Sequence, residues 1–330
     1  MDPSSCTVCK RNPGYFRREY EGSVLCKSCF RDSLERKVRR TISYWDMFSP
    51  EDHVAVAVSG GKDSLTLLMI LHKLAKRFPR TRITAVTVDE GIAGYREEAV
   101  DLATKYCRDL GIEHEVVSFE DLFGSGLDDF LKNKQERMTA CSYCGVFRRK
   151  AINLAAKKIG ATKIATGHNL DDIVQTYMLN LFQGDADRFV RFSPVLKDPR
   201  GLFLTRVKPL CEIPEREIVM YGYAEDLQFQ TASCPYMTEA LRNELRTILN
   251  KLELAHPGVT FSAYRAMLRL RTLAEPNLAP SHLQPCKSCG EPTPFEICEA
   301  CKMQGINSVI PEIPRARFLG SEATRSRHDR

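Results

Sequence analysis

Apolar and polar positions alternate along the middle of the chain in two different rhythms. A short apolar run over 53–58 is followed by a pattern of helical period over 65–77, and this alternation recurs as far as residue 182. Short apolar runs of this length are typical of buried strands, whereas the longer patterns are typical of amphipathic helices. Strands that alternate with helices predict an α/β fold with a doubly wound parallel sheet, in which ligands bind at the carboxyl ends of the strands.

The same patterns give the predicted elements and domains in order. The predicted strands are 53–58, 82–88, 112–119, 163–166 and, at an edge of the sheet, 205–210. The predicted helices are 36–48, 65–77, 95–110, 172–182 and 214–227, followed by two basic helices over 238–254 and 261–274. The predicted domains are a module at 1–35, a basic linker helix at 36–50, an α/β domain at 51–230, a basic helical region at 231–275, a second module at 276–308 and a disordered tail at 309–330.

A short motif suited to anions follows the first predicted strand. Its residues are Ser59, Gly60, Gly61, Lys62, Asp63 and Ser64. A glycine turn that opens a helix directs backbone N–H groups at one point, where the helix terminus adds partial positive charge. Lys62 supplies a full charge and Ser64 a hydroxyl, while the Asp63 carboxylate is suited to hold a metal ion beside a phosphate. The motif predicts an anion site, and we expect its ligand to be a nucleotide. The alternative is that the turn binds no ligand.

Cysteines are numerous and grouped. Thirteen cysteines in a chain without an N-terminal apolar signal indicate thiolate chemistry in the reducing cytoplasm rather than disulfides. Eight of them form two sets of paired Cys-x2-Cys motifs, and such pairs place four sulfurs around one ion, so we predict two closed, structural zinc sites. The first four-cysteine group is Cys6, Cys9, Cys26 and Cys29, and the second four-cysteine group is Cys286, Cys289, Cys298 and Cys301. Two isolated residues, Cys107 and Cys211, are expected to pack in the core.

A further set, the three-cysteine group, consists of Cys141, Cys144 and Cys234. Its spacing leaves three interpretations open: a redox pair beside an unrelated third cysteine, a zinc site completed by water, and an iron–sulfur cluster held by three thiolates. A [4Fe–4S] cluster held in this way leaves one iron able to bind exogenous sulfide. Arg148, Arg149 and Lys150 follow closely and would favour thiolates and anionic sulfur there.

Charge permits a polyanionic partner without requiring one. The formal net charge is +6 and the pI is about 8.6. The excess is uneven, because residues 1–50 carry ten Lys and Arg against six Asp and Glu, and residues 241–271 carry six against two. Each basic stretch is interpreted as a nucleic-acid contact or as a solvated surface. The sequence has no run of about 18 apolar residues, so we expect no membrane span.

The order of the motifs resembles one known family. After the glycine turn come Val88-Asp89-Glu90-Gly91-Ile92, Cys141-x2-Cys144-Gly145, Gly167-His168-Asn169-x-Asp171-Asp172 and Cys234-Pro235-Tyr236, with the four-cysteine groups on both sides. The glycine turn is similar to the PP-loop of ATP pyrophosphatases, and the full set resembles the PP-loop tRNA 2-thiolation enzymes over residues 1 to about 308. The resemblance implies that ATP adenylates the C2 oxygen of a tRNA uridine, with release of pyrophosphate, and that sulfur then replaces AMP.

The resemblance also implies how the nucleotide binds. Ser59, Gly60, Gly61, Lys62, Asp63 and Ser64 would hold pyrophosphate with Mg²⁺, and backbone near Val88 and Gly167 would hold adenine and ribose. Asp172 would lie near the phosphates as an acidic helper. From the residues alone, Asp171 and Asp172 are equally interpreted as helix caps, and His168 as a structural loop residue.

Catalytic roles follow from the same resemblance. Cys141, Cys144 and Cys234 would hold a [4Fe–4S] cluster through three ligands, and Lys62 and Asp63 would serve the adenylation step. Arg148 occupies a position near the ATP or the activated base where relatives often carry lysine.

Target and partners are also expectations of the resemblance. Residues 89–96 and 120–124 look closer to the branch that acts on wobble uridine 34 than to the branch that acts on uridine 54 of the T-loop, which is the alternative. The expected partners are tRNA, a ubiquitin-like sulfur carrier or sulfide as donor, a second copy of the chain, and a second thiolation subunit. Two alternatives of other classes are a zinc-ribbon RNA-binding protein with an inactive nucleotide fold and a tRNA-lysidine type of ligase, which needs no cluster.

Overall fold

The computed structural model describes residues 5–78, 80–132, 138–197, 201–237, 241–277 and 283–305. The chain contains two compact units, which comprise residues 1–280 and 281–330. The division lies within the proline-rich segment at 276–285, where the sequence predicts a boundary. The tail predicted at 309–330, and residues 238–240 of one predicted helix, lie outside the described residues.

The elements follow the predicted alternation. In the first unit the strands are β1 Phe16–Arg18, β2 Ser23–Leu25, β3 His53–Ala57, β4 Arg82–Asp89, β5 Glu113–Ser118, β6 Lys163–Ala165, β7 Val195–Leu196 and β8 Thr205–Val207. The helices of this unit are α1 Lys27–Tyr44, α2 Lys62–Ala75, α3 Arg96–Leu110, α4 Phe119–Phe123, α5 Leu127–Lys132, α6 Ala140–Lys158, α7 Leu170–Phe182, α8 Ala186–Arg191, α9 Glu215–Ala224, α10 Leu241–Ala255 and α11 Val259–Ala274. The second unit contains β9 Gln284–Pro285, β10 Pro292–Thr293 and α12 Glu299–Met303.

The central sheet has six strands in the order β5-β4-β3-β6-β8-β7, and all but β7 are parallel. The chain winds outward from β3 through β4 to β5, and then returns to place β6 on the other side of β3. This reversal is a topological switch point, where the loops after two neighbouring strands part and leave a crevice. The crevice therefore lies between the loop after β3 and the loop after β6.

The strand predicted at the edge of the sheet, 205–210, lies inside it. β8 covers Thr205–Val207 and pairs with β6 on one side and with β7 on the other. The edge is β7, an antiparallel strand of two residues, which is too short to leave a periodic signal in the sequence. The edge prediction is therefore wrong, and the strand is three residues shorter than expected.

Helix α1 joins the N-terminal module to the core. The sequence predicts a linker helix from residue 36, but α1 begins at Lys27, directly after Cys26, so that Cys29 of the first four-cysteine group lies in its first turn. Phe30, Leu34 and Val38 are fully buried, and their spacing of four places them on one face of the helix. The basic residues at 36, 39 and 40 are on exposed positions of the same helix. One continuous helix therefore carries both the packing face and the charged face.

A buried ion pair ties the N-terminal module to α9. The guanidinium of Arg18 donates to Glu217 Oε2 at 2.7 Å, and both side chains are less than 5% exposed. Tyr20 OH bonds the other oxygen of the same carboxylate.

Cys107 and Cys211 lie in the hydrophobic core, as predicted. No helix in the described part of the chain is both long and apolar enough to cross a bilayer.

Candidate active site

The predicted glycine turn follows β3 and opens α2. Gly60 has φ +81°, and a Cβ there would lie 2.4 Å from the Ala99 carbonyl oxygen, so both conformation and space require glycine. The Ser64 hydroxyl donates to the Gly61 carbonyl at 3.0 Å and accepts the Ser59 N–H at 3.0 Å. These bonds hold the turn as a cradle at a helix N-terminus, where an anion is favoured.

The loop after β6 approaches this cradle closely. A Cβ at Gly167 would lie 3.0 Å from the carbonyl carbon of Asp63 and from the nitrogen of Ser64, so glycine lets two backbones meet. Asn169 caps α7 and donates from Nδ2 to Asp63 Oδ1 at 2.9 Å. The loops after β3 and β6 are therefore the two walls of one crevice.

Lys62 lies between two carboxylates. Its Nζ is 2.7 Å from Asp63 Oδ2 and 2.8 Å from Oε1 of Glu215 at the start of α9. Burial alone would lower the pKa of Lys62, but the two carboxylates outweigh burial and raise the pKa, so the ammonium stays charged. Both oxygens of Glu215 also lie 2.9 Å from Nη2 of Arg246, which links the crevice to α10.

Asp172 caps α7 and also lies near Asp63 of the glycine turn. It completes a capping box with Asn169 through bonds of 3.0 and 3.2 Å. Burial disfavours the charged carboxylate of Asp172 and is the main cause that raises its pKa to about 6. The negative charge of Asp63 nearby adds to this rise. Two acids that repel one another in this way are suited to share a divalent cation. Asp171 instead accepts the Glu215 N–H at 2.7 Å and so positions α9.

The three-cysteine group is assembled by the start of α6 and the segment before α10. Cys144 is buried and Cys141 is exposed. The Cys141 Sγ lies 3.8 Å from the Tyr236 carbonyl oxygen, so the chain around Cys234 passes beside the start of α6. Burial raises the pKa of Cys144, and the nearby charge of Cys234 adds to this shift. The fold therefore brings the segment of Cys234 to the Cys141-x2-Cys144 motif, which lies about ninety residues earlier in the sequence.

The segment that carries Cys234 also touches the glycine turn. The Gln230 N–H donates to the Gly60 carbonyl at 3.1 Å. Tyr236 OH donates to Asp128 on α5 at 2.8 Å, which anchors the other end of the segment. A single stretch of chain therefore runs from the phosphate cradle to the three-cysteine group.

Glu90 directly follows β4 and pairs with two arginines, one that contacts the glycine turn and one that contacts the three-cysteine group. It is 3% exposed, and its carboxylate contacts Arg96 through one oxygen and Nε of Arg148 through the other, the latter at 2.9 Å. Arg96 also donates to the carbonyls of Ser59 and Val88, at 3.1 and 2.6 Å. Arg148 continues to the three-cysteine group, where Nη2 donates to the buried sulfur at 2.8 Å.

A set of cations, here termed the cationic wall, lies near enough to His168, in the loop after β6, to act on its charge. Its members are Lys208, Arg242, Arg148 and Arg206. The protein atoms around His168 displace water and lower its pKa, and the cationic wall lowers it further, to about 4. The imidazole is therefore neutral at pH 7, and its Nδ1 bonds the Thr166 hydroxyl at 2.8 Å. Four positive charges around a neutral ring favour a phosphate-bearing ligand.

Comparison with known proteins shows which family the chain belongs to. The PP-loop domain family matches residues 31–253. The tRNA 2-thiolation protein NcsA of Haloferax volcanii is 37% identical over 313 residues, which cover 90% of this chain and 97% of the relative. The chain belongs to the PP-loop tRNA 2-thiolation family. The tRNA-5-methyluridine(54) 2-sulfurtransferase of Pyrococcus horikoshii is 33% identical over 305 residues, which cover 92% and 95% of the two chains.

A solved structure of the same family confirms the fold. The U34-tRNA thiolase NcsA from Methanococcus maripaludis, solved with its [4Fe–4S] cluster, matches with a TM-score of 0.78 and 33% identity. The match covers 94% of this chain and 99% of that chain. The family and the PP-loop type of α/β fold predicted from the sequence are therefore both confirmed.

The two four-cysteine groups are assembled as the spacing predicts. In each group the four Sγ atoms lie within 4.8 Å of one another. The separation is 3.8 Å between Cys9 and Cys26, and 3.7 Å between Cys289 and Cys298. Four thiolates at a tetrahedral zinc ion are about 3.8 Å apart, because each Zn–S bond is about 2.3 Å long. Both groups therefore have the size of a zinc site, and the identity of the metal stays a prediction.

The three-cysteine group is wider than either four-cysteine group. Across the described ranges, its three sulfurs do not all lie within 4.8 Å of one another. Its donor set of three thiolates, with a guanidinium against one of them, suits an anionic cluster that keeps one metal open.

The structure gathers nearly all the residues that the family resemblance proposes for the nucleotide and for the sulfur chemistry. The turn from Ser59 to Ser64, Gly167 and Asp172 line the crevice, and Arg148 stands between the crevice and the three-cysteine group. The Val88 carbonyl accepts a hydrogen bond from Arg96 and keeps a second lone pair, so the role expected for the backbone near Val88 stays a prediction.

Sequence reasoning missed four residues that shape the site. Glu90 had a usable signal, since it directly follows a predicted strand within a quoted motif. Arg96, Glu215 and Gln230 had none, because each reaches the site from an ordinary helix or loop position through long-range contacts. Only the folded sheet reveals that these side chains meet.

Proposed function

We propose that this enzyme replaces the C2 oxygen of a tRNA uridine with sulfur, and that its target is wobble uridine 34. The observation that carries the proposal is that one segment of chain links the phosphate cradle to the three-cysteine group, through Gln230 with Gly60 and Tyr236 with Cys141. The structural relative from Methanococcus is named for uridine 34 and carries a [4Fe–4S] cluster, which supports both the target and the cluster. The Pyrococcus relative is named for uridine 54 and makes that position the competing candidate.

Adenylation uses the walls of the crevice. The N–H groups of the glycine turn hold the pyrophosphate portion of ATP, and Lys62 exchanges its carboxylate partners for phosphate oxygens. Asp63 and Asp172 would hold Mg²⁺, which would neutralise charge on the phosphates. The C2 oxygen of uridine attacks the α-phosphorus, pyrophosphate leaves, and the charge that develops is offset by the lysine and the fixed N–H groups.

Sulfur transfer uses the opposite half of the cleft. Cys141, Cys144 and Cys234 would hold a [4Fe–4S] cluster, which supplies an iron without a protein ligand as a binding site for sulfide. Arg148 lies against Cys144 and places a positive charge where anionic sulfur is presented. Hydrosulfide gives its electron pair to C2, AMP leaves with the former C2 oxygen, and one proton is released. The exchange is redox-neutral and needs no oxidant.

The tRNA docks on positive surfaces around the cleft. The cationic wall lies near His168 in the loop after β6, and α10, α11 and the exposed face of α1 add basic residues. Phosphates bound there position the RNA, while the target base is splayed out into the cleft. The remaining expectations are kept as proposals: zinc in both four-cysteine groups, a ubiquitin-like sulfur carrier or sulfide as donor, a homodimer, a second thiolation subunit, and action in the cytoplasm.

Position-specific mass spectrometry tests the proposal. The full chain, reconstituted anaerobically with iron and sulfide, is incubated with ATP and tRNA transcripts that carry uridine at 34, at 54, or at neither position. We expect 2-thiouridine at position 34 and one AMP released for each sulfur incorporated. Thiouridine confined to position 54 supports the competing target, whereas tRNA binding without AMP release supports an RNA-binding protein with an inactive nucleotide fold.

A further inference from the structure

Glu90 has an unusual place in the cleft. It is 3% exposed at the end of β4, and its two carboxylate oxygens contact guanidinium groups from different helices, Arg96 on α3 and Arg148 on α6. An ordinary ion pair has one cation for each carboxylate, so this arrangement carries one surplus positive charge. Each carboxylate oxygen is committed to a different arginine, and the acid is a bridge between them.

One arm of the bridge ends on the phosphate cradle. Arg96 is 5% exposed, and its two terminal nitrogens donate to the Ser59 carbonyl at 3.1 Å and to the Val88 carbonyl at 2.6 Å. These bonds fix the first residue of the glycine turn against the end of β4. A change in the turn on nucleotide binding therefore reaches Arg96 directly.

The other arm ends on the three-cysteine group. Arg148 lies one helical turn after Cys144 on α6, and its Nη2 donates to the sulfur at 2.8 Å while its Nε contacts Glu90. The planar guanidinium makes both contacts at once, which a lysine ammonium on a flexible stem does not reproduce in the same geometry. The arginine that this chain carries at position 148 is thus matched to Glu90.

We infer that Glu90 is a positioning residue that couples the phosphate cradle to the three-cysteine group, so that nucleotide bound at one end orders the other. The inference rests on the proposed function for the identity of the two ligands. It adds a connection between the sites to that function. The chain of contacts runs from Ser59 through Arg96, Glu90 and Arg148 to Cys144 without a gap.

The alternative is that Glu90 is a structural ion pair without influence on either site. Glu217 is a matched control for that alternative, because it is 1% exposed, bonds Arg18 with one oxygen and Tyr20 with the other, and touches neither site. Glu90→Gln and Glu217→Gln both remove a buried charge and keep the size of the side chain. A purely structural role predicts the same behaviour for the two variants.

Hydrogen–deuterium exchange of the full-length protein provides the primary test, with a non-hydrolysable ATP analogue as the probe. In wild type and Glu217→Gln we expect the analogue to slow amide exchange at 141–149 by about threefold or more, whereas in Glu90→Gln we expect protection of the glycine turn without that remote effect. Remote protection retained in Glu90→Gln, lost in Glu217→Gln, or missing in wild type would overturn the inference. The measurement needs no cluster, and it is repeated after anaerobic reconstitution.

A second readout uses the reduced cluster and a second variant. The analogue is expected to shift the electron paramagnetic resonance signal of wild type and Glu217→Gln, and to leave that of Glu90→Gln unchanged. Arg148→Lys keeps the charge but loses the double contact. If Glu90→Gln does not fold, Arg148→Lys replaces it as the test variant, and we expect protection of the glycine turn without the remote effect. Coupling in a wild type that makes no thiouridine would leave the inference standing and reject the proposed function.

Discussion

The first four-cysteine group and the three-cysteine group show two uses of the same side chain in one unit of the protein. In the first, four sulfurs lie within 4.8 Å of one another, and α1, which carries Cys29 in its first turn, has one fully buried face. In the second, the sulfurs are farther apart, one of them is exposed, and an arginine touches the buried one. A closed cage stabilises a fold, whereas an open set of thiolates with an arginine beside it leaves room for a substrate.

The surroundings of each group support this difference. The N-terminal module is fixed by packing and by the buried pair between Arg18 and Glu217, so its geometry depends on the core. The three-cysteine group is held by contacts that lead to the nucleotide cradle, through Glu90 and through Gln230. We therefore expect changes in the first group to act on stability and changes in the second to act on chemistry.

The largest effect is expected for Cys144→Ala. Thiolation should fall by about 10³-fold or more, because one ligand of the proposed cluster and the partner of Arg148 are lost together. The melting temperature should change little, and the iron content should fall while the zinc content stays. Cys211→Ala serves as the control, since Cys211 is equally buried but lies in the hydrophobic core. A Cys144→Ala enzyme that stays active would remove this half of the comparison.

Cys26→Ala should act on the fold. Loss of one thiolate opens the first four-cysteine group, so we expect the loss of one zinc ion per chain and a decrease in the free energy of unfolding of about 3 kcal/mol. Denaturant titration and metal analysis measure the two quantities. The control is Cys107→Ala, which removes a buried core thiol and should keep both zinc ions. Unchanged metal content in Cys26→Ala would contradict the assignment of this group.

Lys62→Met should weaken adenylation without changing the metal content. The lysine is held by Asp63 and Glu215 beside the glycine turn, and its loss should reduce ATP-dependent AMP formation by about 10²-fold. Lys73→Met is the control on the same helix, because Lys73 pairs with Glu35 and Glu225 away from the cradle. Equal losses of AMP formation in both variants would mean that the lysine acts on stability rather than on ATP.

The smallest effect is a pH dependence of tRNA binding. Burial lowers the pKa of Lys208 to about 8, so this member of the cationic wall loses its charge as the pH rises through 8. Affinity for tRNA should therefore fall several-fold between about pH 7 and pH 9, because the buried ammonium attracts phosphates through its charge and not through a direct contact. Lys208→Arg should abolish this pH dependence. A pH-dependent loss of affinity that persists in Lys208→Arg would assign it to another group.

The parts of the fold that were predictable have local signals. The glycine turn, the four parallel strands up to β6 and the two four-cysteine groups depend on spacings within about thirty residues, which the sequence displays directly. The start of α1 was missed because the charged residues at 36–40 resemble a solvated linker, while the buried face begins at Phe30. The position of β8 was missed because a two-residue neighbour leaves no pattern.

The sequence predicted most residues that the structure brings together at the candidate site, but not the contacts that connect them. Resemblance to a family located the cysteines and the cradle, but the bridge formed by Glu90 and the clamp formed by Glu215 depend on side chains that meet across the sheet. Charge pairs of this kind have no fixed spacing in sequence, so they are visible only once β3, β4 and β6 are adjacent.

The central claim is that one cleft first activates the base with ATP and then delivers sulfur from the three-cysteine group. Its most direct measurement is a single turnover of Cys234→Ala with [α-³²P]ATP and tRNA, in which label on the RNA and thiouridine are both counted. We predict labelled, adenylated tRNA and no thiouridine, because the variant retains the cradle and loses the sulfur site. Two results would contradict the account. One is thiouridine at the wild-type level in Cys234→Ala, and the other is tRNA that stays unlabelled in Cys234→Ala although it becomes labelled in Cys211→Ala.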